Sequence, residues 1–237
     1  MSRTLTLDAA PAAFSFDPAT SAVLVIDMQN DFASAGGMCD RAGIAIAGIQ
    51  AAVPNIARTL SAARGAGLKI IYVKMGFRAD LADMGPPDSP NRLRHSRFNV
   101  GQTVRNAEGR EWRLLVRDGW GTDIVDALEP HPGDLTVWKN RYSAFYQTDL
   151  EARLKDAGIK HLIVTGCTTS VCVDSTVRDA FYRDYHCVLL ADCMAEPIAH
   201  DAPRSNHEAT LRTMQLLFGW TSASEQFLAA LSAPAPA

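Results

Sequence analysis

Three side chains that can cooperate in covalent catalysis follow apolar runs of the sequence. Asp27 and Lys139 each end such a run, and Cys172 follows another run through a short turn. A thiolate is a strong nucleophile, and both a helix N-terminus and a nearby ammonium group lower the pKa of a thiol. A carboxylate beside the thiol can take its proton and later deliver it to a departing amine. The combination predicts nucleophilic attack on a carbonyl carbon.

Each of the three residues, taken alone, also has a structural explanation. An acid at the end of a strand often caps a loop, and a lone lysine there is commonly a solvated charge. A buried cysteine usually packs as a small apolar side chain. The catalytic interpretation therefore depends on a fold that brings all three side chains to one place.

Five short runs rich in β-branched residues predict buried strands, at residues 22–27, 69–74, 134–139, 161–165 and 187–191. Their apolar residues do not alternate with polar ones, which is typical of a parallel sheet covered on both faces. Ligands of open α/β sheets bind beyond the carboxyl ends of the strands. Asp27, Lys139 and Cys172 would meet at that edge.

Helical patterns separate the predicted strands. Apolar residues recur at helical spacing from Ile49 to Ala63 and from Val173 to Phe181, and capping boxes begin at Thr148 and Ser205. Alternating strands and helices predict an α/β fold, a three-layer doubly wound sandwich with a mainly parallel sheet.

The chain of 237 residues is expected to form a single domain over residues 1–237. Residues 1–20 and the Ala/Pro-rich tail at 232–237 are expected to be loose ends. The segment 76–121 is rich in Pro, Arg, Asn and Gly and shows no clear period. A long irregular insertion in a compact domain is often functional, so a lid is expected there.

Charge and composition exclude several classes of protein. Lys and Arg number 23 against 26 Asp and Glu, which gives a formal charge of −3 and no indication of nucleic-acid or membrane binding. No apolar run approaches the roughly 20 residues of a membrane-spanning helix, and the N-terminus lacks the pattern of a signal peptide. Five cysteines are an odd number for a disulfide framework, so a cytoplasmic location is expected.

Three motifs carry a resemblance to a known family. The segments Val25–Phe32, Lys139–Phe145 and Val164–Val173 are similar to those of the isochorismatase-like cysteine hydrolases, in the same order and spacing. The resemblance implies a catalytic triad of Asp27, Lys139 and Cys172 that acts without a cofactor. It also implies a cis peptide bond between Cys167 and Thr168, and an oxyanion hole formed by the backbone N–H groups of Thr168 and Cys172. A homo-oligomer, commonly a dimer or tetramer, is implied as well.

Within that family, the presence of Cys172 argues against the isochorismatases proper, which lack the nucleophilic cysteine. Nicotinamidases carry an Asp-x-His metal motif between the first two strands, and this chain has no histidine between Phe32 and Tyr72. No catalytic metal is therefore expected. The ureido and carbamoyl branches remain, with a small ureido or carboxamide compound and water as reactants.

The resemblance leaves more than one substrate open. The segment Phe77–Asp83 and Gln215 are similar to the biuret hydrolases, so biuret or triuret is the preferred substrate and ureidoacrylate the alternative. The segment Tyr142–Leu150 and the closing Phe218–Trp220 resemble the ureidoacrylate amidohydrolases. N-carbamoyl compounds are a further alternative.

Five side chains are expected to contact the substrate. Phe32, Tyr142 and Phe145 are expected to form walls of the pocket, although aromatic residues at strand ends often belong to the core. Gln215 either contacts the substrate or bonds to the backbone at the edge of its helix. Arg94 belongs to an arginine cluster in segment 92–97 that either binds a substrate carboxylate or faces solvent or a neighbouring subunit.

Two other classes of function fit the sequence less well. A hydrolase fold retained as a binding module would have no reason to keep all three residues of the triad. A dinucleotide-dependent oxidoreductase would need a G-x-G-x-x-G fingerprint after the first strand, and none is present.

Overall fold

The computed structural model describes residues 4–106, 109–198 and 205–233. The end of the tail that was expected to be loose, residues 234–237, lies outside this part of the chain, as do residues 1–3. No helix within the described ranges is long and apolar enough to cross a membrane.

The strands of the described residues, in chain order, are β1 (Leu5–Leu7), β2 (Phe14–Phe16), β3 (Ser21–Ile26), β4 (Lys69–Met75), β5 (Thr103–Arg105), β6 (Glu111–Arg113), β7 (Leu135–Lys139), β8 (His161–Cys167), β9 (His186–Ala195) and β10 (Trp220–Ser222). The α-helices are α1 (Asn30–Ala33), α2 (Met38–Arg41), α3 (Ala47–Gly65), α4 (Pro90–Ser96), α5 (Leu150–Asp156), α6 (Asp174–Phe181), α7 (Asn206–Leu217) and α8 (Ser224–Ser232).

Six strands form one parallel sheet in the order β10-β9-β8-β3-β4-β7. All five predicted strands are in it, as β3, β4, β7, β8 and β9. The sequence runs outward from β3 to β7 on one side and from β8 to β10 on the other. The strand order therefore reverses between β3 and β8, and such a switch point is where doubly wound sheets bind ligands.

Side chains of successive strand residues enter two separate cores. Val23 and Val25 of β3 pack with α3 and α8 on one face of the sheet. Ala22, Leu24 and Ile26 of the same strand pack with α5, α6 and α7 on the other face. A strand with helices on both sides has no polar face, which explains why the predicted strands lack alternation. The three-layer α/β sandwich is confirmed.

The N-terminal segment is not loose, contrary to the expectation for residues 1–20. Strands β1 and β2 pair as an antiparallel hairpin, and Leu5, Leu7, Phe14 and Phe16 are buried in the core beside α3 and α8. The ring of Phe16 stacks on Phe227 of α8 at 5.9 Å. Apolar residues two apart in each strand, on either side of one polar residue, were the signal for this hairpin.

The segment 76–121, called the cap below, has its own apolar core. Phe77, Met84, Trp112, Leu114 and Leu115 are buried together there. The cap contains α4 and the antiparallel hairpin β5–β6, so it is more regular than the sequence indicated. Its short elements escaped prediction because each is only a few residues long, too short to show a helical or strand period.

Candidate active site

Asp27, Lys139 and Cys172 meet at the carboxyl edge of the sheet, as predicted. The Lys139 ammonium Nζ lies 2.8 Å from Asp27 Oδ2 and 3.3 Å from Cys172 Sγ. It also contacts the backbone carbonyl of Arg141 at 3.3 Å and the sulfur of Met75 at 3.5 Å. Asp27 and Lys139 are buried, and 6% of Cys172 is exposed. One ammonium group thus joins the acid to the thiol in a nearly dry site.

The sheet topology explains this meeting. Asp27 follows β3, Lys139 ends β7, and Cys172 follows β8, and all three strands run in the same direction. Asp27 adopts a left-handed conformation with φ of 54°, and its N–H donates to the carbonyl of Val73 in β4 at 2.9 Å. The chain therefore turns sharply at the end of β3, over the switch point beside β8.

Cys172 lies near the N-terminus of α6, as the helical pattern beginning at Val173 predicted. It is the fourth residue of a π-helical turn, Thr169–Val173, which continues directly into α6. Single π-turns of this kind occur frequently at functional sites. The peptide bond between Cys167 and Thr168 is cis, as the resemblance implied.

Burial determines the charge state of the three groups. Loss of solvent raises the pKa of the Asp27 carboxyl, against the opposing effect of Lys139. Burial also raises the pKa of the Cys172 thiol, the negative charge of Asp27 raises it further, and Lys139 only partly compensates. For Lys139 burial acts in the opposite sense, but the attraction of Asp27, with the contact to Cys172, outweighs it and the pKa of Lys139 is raised. The resting thiol is therefore protonated, and the expected low pKa of Cys172 is wrong.

A cavity of about 420 Å³ opens above the thiol. Most of its wall is apolar and comes from the cap, from α1 and α2, and from the segment after β9. Its lining residues are Phe32, Met38, Cys39, Ile44, Met75, Arg94, His95, Phe98, Leu115, Tyr142, Thr168, Val171, Cys172, Pro197 and Ile198. A space of this size suits a small molecule.

Three of the five predicted substrate-binding residues line this cavity: Phe32, Tyr142 and Arg94. Arg94 is exposed, and its guanidinium makes no hydrogen bond or ion pair with any described residue. Its neighbour Arg92 is committed to the backbone instead, donating to the carbonyls of Gly85 and Leu81 at 2.8 and 2.7 Å. Arg92 therefore stabilises the backbone of the cap, whereas Arg94 lines the cavity.

The other two residues do not line the cavity. Phe145 is buried in the core beneath α6, where its ring stacks on Tyr185 at 5.9 Å and lies under Arg183 at 5.1 Å. Gln215 lies outside the cavity, and its Oε1 accepts from the Thr221 hydroxyl at 3.4 Å. Position on a helical face could not reveal that α7 directs this side chain toward β10 rather than toward Cys172.

Gln29 and Asp31 anchor the cap and the residues that flank it to the sheet. Both belong to the first recognised motif, but the sequence did not reveal this structural role. The Gln29 amide donates to the carbonyls of Met75 and Thr122 at 2.9 and 3.1 Å and accepts from the Met75 N–H at 2.7 Å. The Asp31 carboxylate accepts from the backbone N–H of Leu115 at 2.7 Å and of Met38 at 3.1 Å. These bonds hold two walls of the cavity against the strand that carries Asp27. A run of polar residues directly after a buried strand was the available signal.

His95 was also missed as a cavity residue, because it is a buried side chain within a short helix that the sequence did not predict. Among the described residues, the candidate site included, no three His, Cys, Asp or Glu side chains gather in a way that could hold a metal ion.

Comparisons with known proteins extend these observations. The isochorismatase domain model matches residues 21–226. A protein named ureidoacrylate amidohydrolase RutB from Serratia proteamaculans is 40% identical over 232 residues, which cover 98% of this chain and 90% of that protein. The protein of the same name from Enterobacter sp. strain 638 is 40% identical over 230 residues, 97% of this chain and 96% of that one. A crystal structure of a cysteine hydrolase from Pseudomonas syringae pv. phaseolicola superposes with a TM-score of 0.77 at 27% identity and 98% coverage of both chains.

Proposed function

Because this chain belongs to the isochorismatase family, we propose that it is a cysteine-dependent amidohydrolase that cleaves a C–N bond of a small ureido compound. The observation that carries the proposal is the contact of one buried ammonium, Lys139, with both Asp27 and Cys172 below a cavity of about 420 Å³. An acid, a thiol and a cation in this arrangement are the parts that acyl transfer through a thioester requires.

The first half of the reaction forms a covalent intermediate. As Cys172 Sγ attacks the ureido carbonyl carbon, its proton passes to the Asp27 carboxylate, so that a protonated resting thiol is compatible with attack. The carbonyl oxygen becomes an oxyanion held by the backbone N–H groups of Thr168 and Cys172. Asp27 then gives the proton to the departing nitrogen, the C–N bond breaks, and the carbonyl carbon stays bonded to sulfur.

The second half returns the enzyme to its starting state. Asp27 takes a proton from water, the water oxygen bonds to the carbonyl carbon, and the C–S bond breaks as sulfur regains a proton from Asp27. Lys139 forms no covalent bond. Its charge stabilises the anionic form of Asp27 at rest and the sulfur anion as it develops.

Ureidoacrylate is the proposed substrate. Two relatives that are 40% identical over nearly the whole chain carry the name ureidoacrylate amidohydrolase. The cavity offers Arg94, which has no bonding partner among the described residues, and a guanidinium is well suited to a substrate carboxylate. Ureidoacrylate has such a carboxylate at the end opposite its ureido group, and biuret has none.

Biuret and triuret stay a prediction of lower rank. The two features that favoured them, Gln215 and the segment beginning at Phe77, do not line the cavity. A homo-oligomer and a cytoplasmic location are likewise part of the proposal, and light scattering would measure the first.

Ammonia release from a panel of ureidoacrylate, biuret, triuret, nicotinamide and N-carbamoyl amino acids tests the proposal. We expect the highest kcat/KM for ureidoacrylate, and a fall in kcat of about 1,000-fold or more for Cys172→Ser, since loss of a nucleophile removes the covalent route. Cys187→Ser is the matched control, because that thiol is buried in the core away from the cavity. Inactivity toward every ureido compound would refute the substrate class.

A further inference from the structure

His95 has a fixed orientation on the cavity wall. It lies in α4 of the cap, only 5% of it is exposed, and it borders the cavity. The ring packs edge-on against Phe77 at 5.1 Å and beside Tyr142 at 5.9 Å. Contacts on both sides leave the imidazole little freedom to rotate.

One hydrogen bond fixes which ring nitrogen carries the proton. His95 Nδ1 lies 2.8 Å from the backbone carbonyl of Asn91, one helical turn earlier. A carbonyl can only accept, so Nδ1 is the donor and Nε2 of the neutral ring has a free lone pair. Among the described residues Nε2 has no hydrogen-bond partner, and since His95 borders the cavity we infer that this acceptor is available to a molecule bound there.

Surrounding charges keep the ring neutral. Burial lowers the pKa of His95, the Asn91 carbonyl opposes this, and the cations Lys139 and Arg141 near the end of β7 and Arg94 on α4 lower it further. A hydrogen-bond acceptor therefore persists in a cavity whose other polar groups include the cation Arg94.

We propose that His95 Nε2 accepts a hydrogen bond from an N–H of the substrate's ureido group, and that this contact makes the site selective for ureido compounds over esters and ketones of the same shape. The inference rests on the proposed function, which supplies the ureido group. A ureido group carries several N–H donors, and a buried donor without a partner destabilises the complex. Arg94 would hold the carboxylate end of ureidoacrylate, while His95 and Cys172 hold its ureido end.

Kinetics of three variants test the contact. His95→Phe keeps the packing against Phe77 and removes the acceptor, so we expect KM for ureidoacrylate to rise and kcat/KM to fall by about 10- to 100-fold. His95→Gln places an amide oxygen near the position of Nε2 and is expected to recover part of that loss. His131→Phe is the matched control, since His131 is exposed and borders a different surface cavity. A His95→Phe enzyme within twofold of the wild type would overturn the inference and leave the proposed function intact.

A binding experiment separates the inference from turnover. The Cys172→Ser variant, labelled with ¹⁵N at histidine, is titrated with ureidoacrylate and with 3-acetoxyacrylate, an ester of the same shape in which an oxygen and a methyl group replace the two nitrogens and no N–H remains. We expect the Nε2 resonance of His95 to shift with ureidoacrylate and not with the ester. If the resonance shifts but the wild-type enzyme does not hydrolyse ureidoacrylate, only the proposed function is refuted. If the resonance does not shift with ureidoacrylate, the role of His95 is refuted.

Discussion

At the scale of single residues, the candidate site places a neutral thiol beside a buried ion pair. Asp27 and Lys139 are buried together at 2.8 Å, so their charges compensate, and a third charge on Cys172 would be unpaired in a nearly dry environment. The thiol therefore keeps its proton until a substrate carbonyl is available to share the developing charge. Such a site favours attack coupled to proton transfer over a preformed thiolate.

Arg94 provides the prediction that belongs to this scale. Arg94→Ala is expected to raise KM for ureidoacrylate by about 10-fold or more, because it removes a charged hydrogen bond to the carboxylate. The kcat/KM for biuret, which has no carboxylate, is expected to change little. Arg97→Ala, on the same segment and outside the cavity lining, is the control. Equal losses on ureidoacrylate and biuret would contradict the role of Arg94 as a carboxylate anchor.

At the scale of elements, the contact of β3 with β8 places acid and nucleophile together. Gly166, near the end of β8, has φ of 112°, and a Cβ atom there would collide with the backbone of Ile26, the residue before Asp27. Only glycine allows the two backbones to come this close while the chain turns toward Cys172. Steric contact with Ile26 thus explains why the third motif has a glycine at position 166.

Gly166→Ala tests this element contact. The added methyl group pushes β8 away from Ile26, and displacing reacting groups by about 1 Å can reduce kcat by about 100-fold. Gly158→Ala is the control, because Gly158 also has a positive φ, of 65°, but has open space around its Cα. We expect that control to lose about 1 kcal/mol of stability to backbone strain and to keep its kcat. Retention of full kcat by a folded Gly166→Ala enzyme would show that the close approach does not position Asp27.

At the scale of the whole molecule, all five cysteines are free and buried. Burial raises the pKa of Cys39, Cys187 and Cys193 to about 12. In the unfolded chain these thiols have pKa values of about 8.5. Below that pH these thiols are neutral in both states, and their contribution to the free energy of unfolding is complete. The contribution is lost as the pH rises toward the pKa values of the folded state.

Cys187 is suited to a test of this pH dependence, because burial is the one cause that raises the pKa of its thiol. Urea unfolding between pH 8 and 10 should show a free energy of unfolding that declines with pH in the wild type. In Cys187→Ala the decline should be shallower by up to about 1.4 kcal/mol per pH unit, the effect of one proton. Parallel curves would mean that Cys187 does not titrate differently in the two states.

The sequence by itself determined five of the six strands of the sheet, the three residues of the triad and the edge at which they meet. Strands β3, β4, β7, β8 and β9 are continuous apolar runs, and Asp27, Lys139 and Cys172 follow three of them at positions set by chain connectivity. Both kinds of information are local. Burial on both faces of the sheet appears in the sequence as a continuous apolar run, and the end of that run marks the carboxyl edge of the sheet.

Only the tertiary structure decided which side chains line the cavity and how the thiol is charged. Phe32 and Phe145 look alike in sequence, yet one borders the cavity and the other lies under α6. Arg92 and Arg94 differ in the same way. Gln215, expected at the substrate, bonds to Thr221, whereas His95, for which the sequence indicated no role, borders the cavity. Contacts between distant segments, above all between the cap and the sheet, settle these matters. They also remove water from around Cys172, and desolvation is the cause that raises its pKa.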